Sequence, residues 1–313
     1  MKKVLVLGGS GFVGRHVCEK LTRLGIRVTV PTRRAVNARD VQTLPMVDVL
    51  EANVHNEADL ARLLPGHDAV VLLVAILHGS EADFERTHVE LPRRLAAAMQ
   101  QAGVQRLVHV SALGASEQGP SLYQKSKASG EAVLQASGLD VTVLRPSVIF
   151  GAEDQFLNLF ARLQTVAPFV PLAGAGTRFQ PVWVVDVAEA VVRCLQRPET
   201  AGQIIECTGP EVLTLAQLVR LAGRLSGHPR PVFGIPKTLA LLQAGLMELM
   251  PGKPLMSRDN LKSMEVDNIA SGKLPGLEVL GMTPAAIGPA AALYLDRLGR
   301  ADPLINVRRH ARR

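Results

Sequence analysis

The sequence predicts an α/β protein built on a doubly wound parallel sheet, with a smaller, mostly helical second part towards the C-terminus. Three observations predict it. Short apolar runs alternate with amphipathic helical patterns through residues 1–150, and the links between them are short, which favours parallel strands with crossover helices. The first run leads directly into a glycine cluster, "GGSGFVG" at 8–14, that opens a helix.

The elements follow in order. "KKVLVL" (2–7) is short and apolar enough for a strand buried on both faces. "FVGRHVCEKLTRLG" (12–25) puts Val13, Val17, Leu21 and Leu24 on one helical face, with Gly25 as the stop. Strands are predicted at "IRVTV" (26–30), "VDVLEANV" (47–54), "DAVVLLVAI" (68–76), "QRLVHV" (105–110) and "LDVTVLR" (139–145). Helices are predicted at 56–64 and at 88–103, the latter with a proline near its start. Beyond residue 150 the pattern loosens. "DVAEAVVRCL" (186–195) resumes a helix, with Asp186 and Glu189 spaced as a capping box, and "QIIECTG" (203–209) reads as another strand. The predicted division is therefore 1–150 plus about 181–207 for the sheet domain. About 151–180 and 208–313 form the smaller substrate or partner domain.

Composition narrows the function classes. The chain has 313 residues, 47% of them hydrophobic, and no apolar run long enough to span a bilayer. Its net charge of +7 favours anionic partners. Part of that excess is the basic end "NVRRHARR" (306–313), read as a solvated terminus. Aromatic residues are only 4%, and no aromatic–basic interleaving supports nucleic-acid binding. Cys18, Cys194 and Cys207 lack metal-ligand or disulfide spacing and read as buried hydrophobes in a reducing, cytoplasmic setting.

The glycine cluster gains meaning from its place between a strand and a helix. Gly8 permits the tight exit, Gly11 lets backbone approach a pyrophosphate, and Gly14 lets the helix pack close to the sheet. Amides at the helix start then face the phosphates, with Gly9, Ser10, Phe12 and Val13 in the same cradle. This is a Rossmann-type dinucleotide site. An NAD site carries an acid at the end of the second strand, whereas here stand Thr32, Arg33 and Arg34. Guanidinium groups pair with a 2′-phosphate, so NADP(H) is expected over NAD(H), with Arg15 as a further contact.

In "SLYQKSKASGEAVL" (121–134), Tyr123 and Lys127 lie four apart and share a helical face. A neighbouring ammonium favours the phenolate, which brings a tyrosine into range as acid or base. These residues, with the glycines at 8, 11 and 14, "LRPSVIFG" (144–151), "PVWVVDVAEAVV" (181–192) and "GPEVLTLAQLV" (209–219), resemble the extended short-chain dehydrogenases/reductases. The stretches "PLMSRDNLKSMEVDNIASG" (254–272) and "LHG…HVELPRRL" resemble an atypical subgroup more narrowly. It includes the nucleotide-binding accessory subunit of respiratory complex I and its bacterial relatives.

The resemblance implies a catalytic hydroxyl after the fifth strand. Ser111 matches the first serine of that pattern, and Ala112 and Leu113 occupy later hydroxyl positions, with Ser116 as a substitute. His88 stands where the family often has Asn, and reads as a packed helix residue rather than a proton relay. The resemblance also implies dinucleotide contacts at Asn53, Val54, Val74, Ala75, Lys127 and Pro146. Two functions follow from it. One is an NADP(H)-dependent oxidoreductase acting on a carbonyl or alcohol of an apolar small molecule. The low charge of 154–176 favours that substrate class. The other is a non-catalytic NADPH-binding accessory or assembly protein of a respiratory NADH:quinone oxidoreductase, on the inner face of the membrane. There the Leu/Met run of 236–255 docks on lipid or a partner instead of serving as a core helix.

Overall fold

The computed structural model describes residues 1–248 and 257–299. Seven parallel strands form one sheet: β1 (Lys3–Leu7), β2 (Arg27–Thr32), β3 (Val47–Glu51), β4 (Ala69–Leu72), β5 (Arg106–Val110), β6 (Asp140–Pro146) and β7 (Ile204–Cys207). Their order is β7-β6-β5-β4-β1-β2-β3. The order reverses between β1 and β4, and at such a point the crossover helices diverge to opposite faces and leave a crevice at the strands' carboxyl ends.

Strand alternation divides the core into two layers. Val4, Val6, Val28, Val30, Val71 and Val108 face helices α1 (Phe12–Arg23) and α6 (Val184–Gln196), through Val17, Leu21, Val187 and Val191. Leu5, Leu7, Val70, Leu72, Leu107 and Val141 face the other side. They meet α2 (Glu57–Leu63) through Leu60, α3 (Leu91–Ala102) through Leu95 and Met99, and α4 (Leu122–Gln135) through Leu134. Burial on both faces explains why these strands read as unbroken apolar runs. A third cluster gathers Phe150, Leu157, Phe160, Val170, Leu172, Leu215, Leu218, Val219 and Leu295. It binds α5 (Leu157–Val166), α7 (Leu215–Leu225) and the helix Ile287–Gly299 together. The late residues Leu277 and Leu280 rejoin the first cluster instead.

Several expectations change. Leu24 is exposed, because it caps α1 after Arg23 and no longer shares the helical face. The helix expected from residue 88 starts earlier. A Ser80-capped turn, Glu81–Glu85, runs through a π-turn, Arg86–Glu90, into α3. Pro92 cannot donate to the carbonyl of His88 four residues back, and its ring crowds that carbonyl, a standard cause of such a bulge. Asp186 and Glu189 form no capping box, since α6 begins at Val184 without a side-chain cap. Asp186 accepts from the Ala285 amide, and Glu189 pairs with Lys20 and Arg193. The apolar residues of 154–176, among them Leu157, Phe160, Val170 and Leu172, are core, so that stretch gives no argument for an apolar substrate.

Within 236–255 the described residues include α8 (Lys237–Glu248). It buries Ala240 and Ala244 but exposes Leu239, Leu241 and Leu242, so it is not a core helix throughout. Residues 249–256 and the basic end 306–313 lie outside the described residues. Among the described residues, no helix is long and apolar enough to cross a membrane. All three cysteines are free and buried.

The tightest helix contact is at Gly130 of α4, where a Cβ would lie 1.9 Å from the His88 carbonyl oxygen. Gly130→Ala is expected to lower unfolding stability by about 1–3 kcal/mol in urea titration, because neither backbone can yield cheaply.

Candidate active site

The glycine loop leaves β1 at Leu7 and enters α1 at Phe12. Two of its glycines are required by the chain itself. Gly8 has φ +87°, a region L side chains avoid, and a Cβ on Gly14 would meet the Gly8 oxygen at 2.2 Å and the Gly9 Cα at 2.6 Å. Gly9 is tight as well, against Val30 at 2.8 Å. Gly11 differs: it is exposed, and its nearest neighbour is one carbonyl oxygen at 3.2 Å. It caps α1 without a side-chain hydrogen bond, and no acid occupies the first turn. Among the described residues, the Phe12 and Val13 amides find no acceptor. A helix start in that condition carries partial positive charge and free donors, which suits a diphosphate. Ser10 lies half-buried beside it.

Beyond β2 the chain turns sharply. Thr32 is buried and its hydroxyl donates to the Arg34 carbonyl at 3.1 Å, so it holds the turn. Glu51, at the end of β3, accepts from the Ala35 amide at 2.8 Å. Arg33 and Arg34 stand exposed, with no ion pair among the described residues. Burial and the neighbouring Arg86, Arg33 and Arg94 hold His55 below the ordinary imidazole range, a sign of the positive field here. Arg15, expected as a further contact, lies 2.5 Å from Glu153 and 3.5 Å from Asp40, while its Nε has no partner among the described residues. Asn53 is likewise engaged in its own loop. Its amide donates to Asp59 at 2.8 Å and its side-chain oxygen accepts from the His55 amide. Val54 packs against the second core layer, while Val74 and exposed Ala75 follow β4 at the crevice edge. Buried Pro146 ends β6 and its carbonyl accepts from the Leu113 amide at 2.8 Å.

The second half of the site stands on α4. Ser121 and Gln124 form a reciprocal cap at its start. Tyr123 and Lys127 share a face one turn apart, as predicted. Lys127 is buried and its ammonium donates to the Val110 carbonyl, the last residue of β5, at 3.0 Å. Burial lowers its pKa to about 8, against an upward pull from Glu131, so it stays cationic near neutrality. The expectation that Lys127 brings the phenol down is not met. Burial instead pushes Tyr123 up to about 12. Ser111 is buried and its hydroxyl has no partner among the described residues, which leaves it available to a ligand oxygen. Ser116 is exposed and accepts from the Gln118 amide, so it holds a local turn.

His88 ties these parts together. Its Nε2 accepts from the Ile76 amide at 3.1 Å, which assigns the proton to Nδ1. Nδ1–H then donates to Ser126 Oγ at 2.9 Å, and that hydroxyl donates to the Tyr123 carbonyl at 3.0 Å. The ring packs edge-on to Tyr123 with centroids 5.7 Å apart, and Phe84 contacts both, 5.6 Å from His88 and 6.3 Å from Tyr123. Both ring nitrogens are engaged, so His88 is a packed spacer and not a relay. Two contributors escaped sequence reasoning. The Asp259 carboxylate accepts from the Leu122 and Tyr123 amides at 2.8 and 3.2 Å. Asn268 accepts from Ser147 at 2.6 Å and donates to Leu113 at 3.2 Å. Both come from the far C-terminal region, and no local pattern signals such pairings.

The parallel sheet, the glycine loop at its switch point and the Tyr123–Lys127 helix define an NAD(P)-binding protein of the extended short-chain dehydrogenase/reductase type. The NAD(P)H-binding family matches residues 8–198, more than half of the chain, and the chain belongs to that family. It is similar to the mouse protein named NADH dehydrogenase (ubiquinone) 1 alpha subcomplex subunit 9, mitochondrial. The two are 32% identical over 289 residues, which cover 90% of this chain and 76% of that one. It is also 27% identical over 249 residues to a protein of Caulobacter vibrioides named ceramide reductase, covering 78% of this chain and 76% of the relative. Among solved structures, MoeE5 in complex with UDP-glucose and NAD superposes with a TM-score of 0.70 at 18% identity. That superposition covers 94% of this chain and 97% of the other, and shows the shared fold.

Burial lowers the His88 pKa from 6.5 to about 3, with a smaller push from Lys127. The fold therefore holds the neutral imidazole. Its contribution is complete above the unfolded value and is lost as pH falls towards the folded one. Between about pH 7 and pH 5 the loss approaches roughly 2 kcal/mol. Urea unfolding is expected to show a larger acid loss in wild type than in His88→Asn, which keeps an acceptor for Ile76 without titrating. Equal losses would remove His88 from this account.

Proposed function

We propose that the protein is an NADP(H)-dependent oxidoreductase that interconverts a carbonyl and an alcohol on an apolar small molecule. The observation that carries this reading is the buried Lys127 one turn below Tyr123, at the mouth of the crevice beside the unpartnered Ser111 hydroxyl. The residues present fit a dinucleotide. The uncapped start of α1 and exposed Gly11 suit its diphosphate, and Arg33 and Arg34, without an ion pair among the described residues, suit a 2′-phosphate. Val74, Ala75 and Pro146 border the same edge, and Lys127 has donors to spare for ribose hydroxyls.

When bound, the dinucleotide supplies a hydride. Ser111 orients the substrate oxygen, and Tyr123 gives that oxygen its phenolic proton. A phenol near 12 keeps its proton until the transfer, and the role of the buried Lys127 is to hold the ribose hydroxyls. Phe84 and the neutral His88 fix the ring and shed water from one side. An apolar substrate is supported by the relative named for reducing ceramide, by exposed Leu122 beside Tyr123 in sequence, and by exposed Leu77, which follows the Ile76 amide bonded to His88.

A second reading is favoured by one observation, the 32% identity to the mouse respiratory subunit across most of the chain. It is a dinucleotide-binding accessory or assembly protein of a respiratory NADH:quinone oxidoreductase, held at the inner membrane face, in which bound NADPH stabilises the fold. Capture from native membranes is expected to recover quinone-oxidoreductase subunits under this reading. The buried free cysteines support a reducing, cytoplasmic compartment for either.

Two measurements test the first reading. Calorimetry is expected to give tighter binding of NADPH than of NADH. Replacing Arg33 and Arg34 by Ala is expected to cost NADPH about tenfold or more while sparing NADH. Once a substrate is found, Tyr123→Phe is expected to slow NADPH oxidation by about 10²–10⁴-fold with dinucleotide affinity kept. Unchanged turnover would remove Tyr123 from the chemistry.

A further inference from the structure

The third cluster turns an unusual surface outward. Val166 is 81% exposed, Phe169 50% and Phe233 48%. Leu163 joins them, with the exposed Pro168 and Pro231 between. These residues form one patch and are not scattered singly. Phe169 and Phe233 stack with ring centroids 5.6 Å apart. The short strands Val170–Leu172 and Val232–Gly234 pair directly beneath them. Leu163 and Val166 lie on the last turn of α5, and Arg230 Nε donates to the Gln164 carbonyl of that same turn. Contiguous exposed aromatic and aliphatic area of this kind marks an interaction surface.

Charge decides the partner. No Asp or Glu occurs at any position in 155–185 or in 212–247, whereas both stretches carry arginines. Arg162, Arg224 and Arg230 are exposed and have no carboxylate partner among the described residues. The two cations of these stretches that do pair, Arg178 and Lys237, reach Asp267 and Glu265, which lie outside them. A protein interface usually presents both signs around its rim, since complementary charge sets its register. A face with apolar rings at its centre, built from two stretches that carry cations and no acids of their own, is complementary to an anionic surface. Phe and Leu partition into the acyl boundary, and arginines meet phosphate headgroups.

We propose that the Leu163–Val166–Phe169–Phe233 face, rimmed by Arg162 and Arg230, docks peripherally on an anionic lipid bilayer. The docking stands apart from the hydride-transfer reading, because none of these residues belongs to the dinucleotide site. It deepens the accessory-protein reading by naming the face that would meet the membrane.

Flotation of the full chain with vesicles tests it. Binding is expected with phosphatidylcholine vesicles containing phosphatidylglycerol, weaker with phosphatidylcholine alone, and reduced by added salt. The triple variant Val166→Asp, Phe169→Asp, Phe233→Asp is expected to lose flotation. Arg162→Gln and Arg230→Gln are each expected to weaken it about fivefold. NADPH affinity reports that the variants are folded, and all are expected to keep it. Absence of flotation with the anionic vesicles overturns the proposal. So does undiminished binding by the folded triple variant, which would shift the attachment to the basic end 306–313. Concentration-dependent self-association abolished by the triple variant, without flotation, would assign the face to a second copy of this chain and likewise overturn it.

Discussion

The contact on which the site depends is the one between Gly130 and the carbonyl oxygen of His88, too close for any side chain. It sets the distance between α4 and the helix through Arg86–Ala102, and that distance lets one imidazole span the gap. His88 then bonds to the Ile76 amide on one side and to Ser126 on the other. The loop after β4 and the helix of Tyr123 are thereby held in a single arrangement. Pro92 belongs to the same device, since the π-turn it accompanies rotates His88 inward. A neutral ring serves here because both nitrogens are already committed, one as donor and one as acceptor.

Polarity in the crevice follows the sheet. All seven strands run the same way, so the glycine loop, the β2 turn, Ser111 and Pro146 emerge on one edge. That edge gathers unspent donors and positive charge: the uncapped start of α1, the arginines beyond β2 and the buried Lys127. In the rest of the sheet domain several cations are paired or enclosed. Arg15 meets Glu153 and Asp40, Arg145 meets the buried Glu131, and Arg106 is enclosed by backbone and threonine oxygens. The contrast is what makes the crevice an anion site and leaves the rest of the sheet domain a structural scaffold.

The C-terminal region is wired into that edge. Asp259 caps the helix that carries Tyr123, and Asn268 joins the loop after β5 to the start of the segment after β6. Both place a short polar side chain on backbone amides or carbonyls that a loop would otherwise leave to water. The C-terminal region that faces the sheet edge is thereby coupled in position to the tyrosine.

The sequence by itself determined the parallel sheet, the glycine loop and the Tyr123–Lys127 pair. Each rests on short-range periodicity: unbroken apolar runs for strands buried on both faces, glycines where φ or a close approach excludes a side chain, and a spacing of four for a shared helical face. It also signalled the basic turn at Arg33 and Arg34, because an acid is absent where one would be expected. The tertiary structure alone decided which polar groups remain available. Arg15 and Asn53 read as ligand contacts in one dimension, and in space Glu153 and Asp59 also engage them. Likewise Asp186 left its expected cap for Ala285, and Asp259 reached Tyr123 across a long stretch of chain. Hydrogen-bond partners distant in the chain are chosen by packing, which leaves no periodic trace in the order of residues.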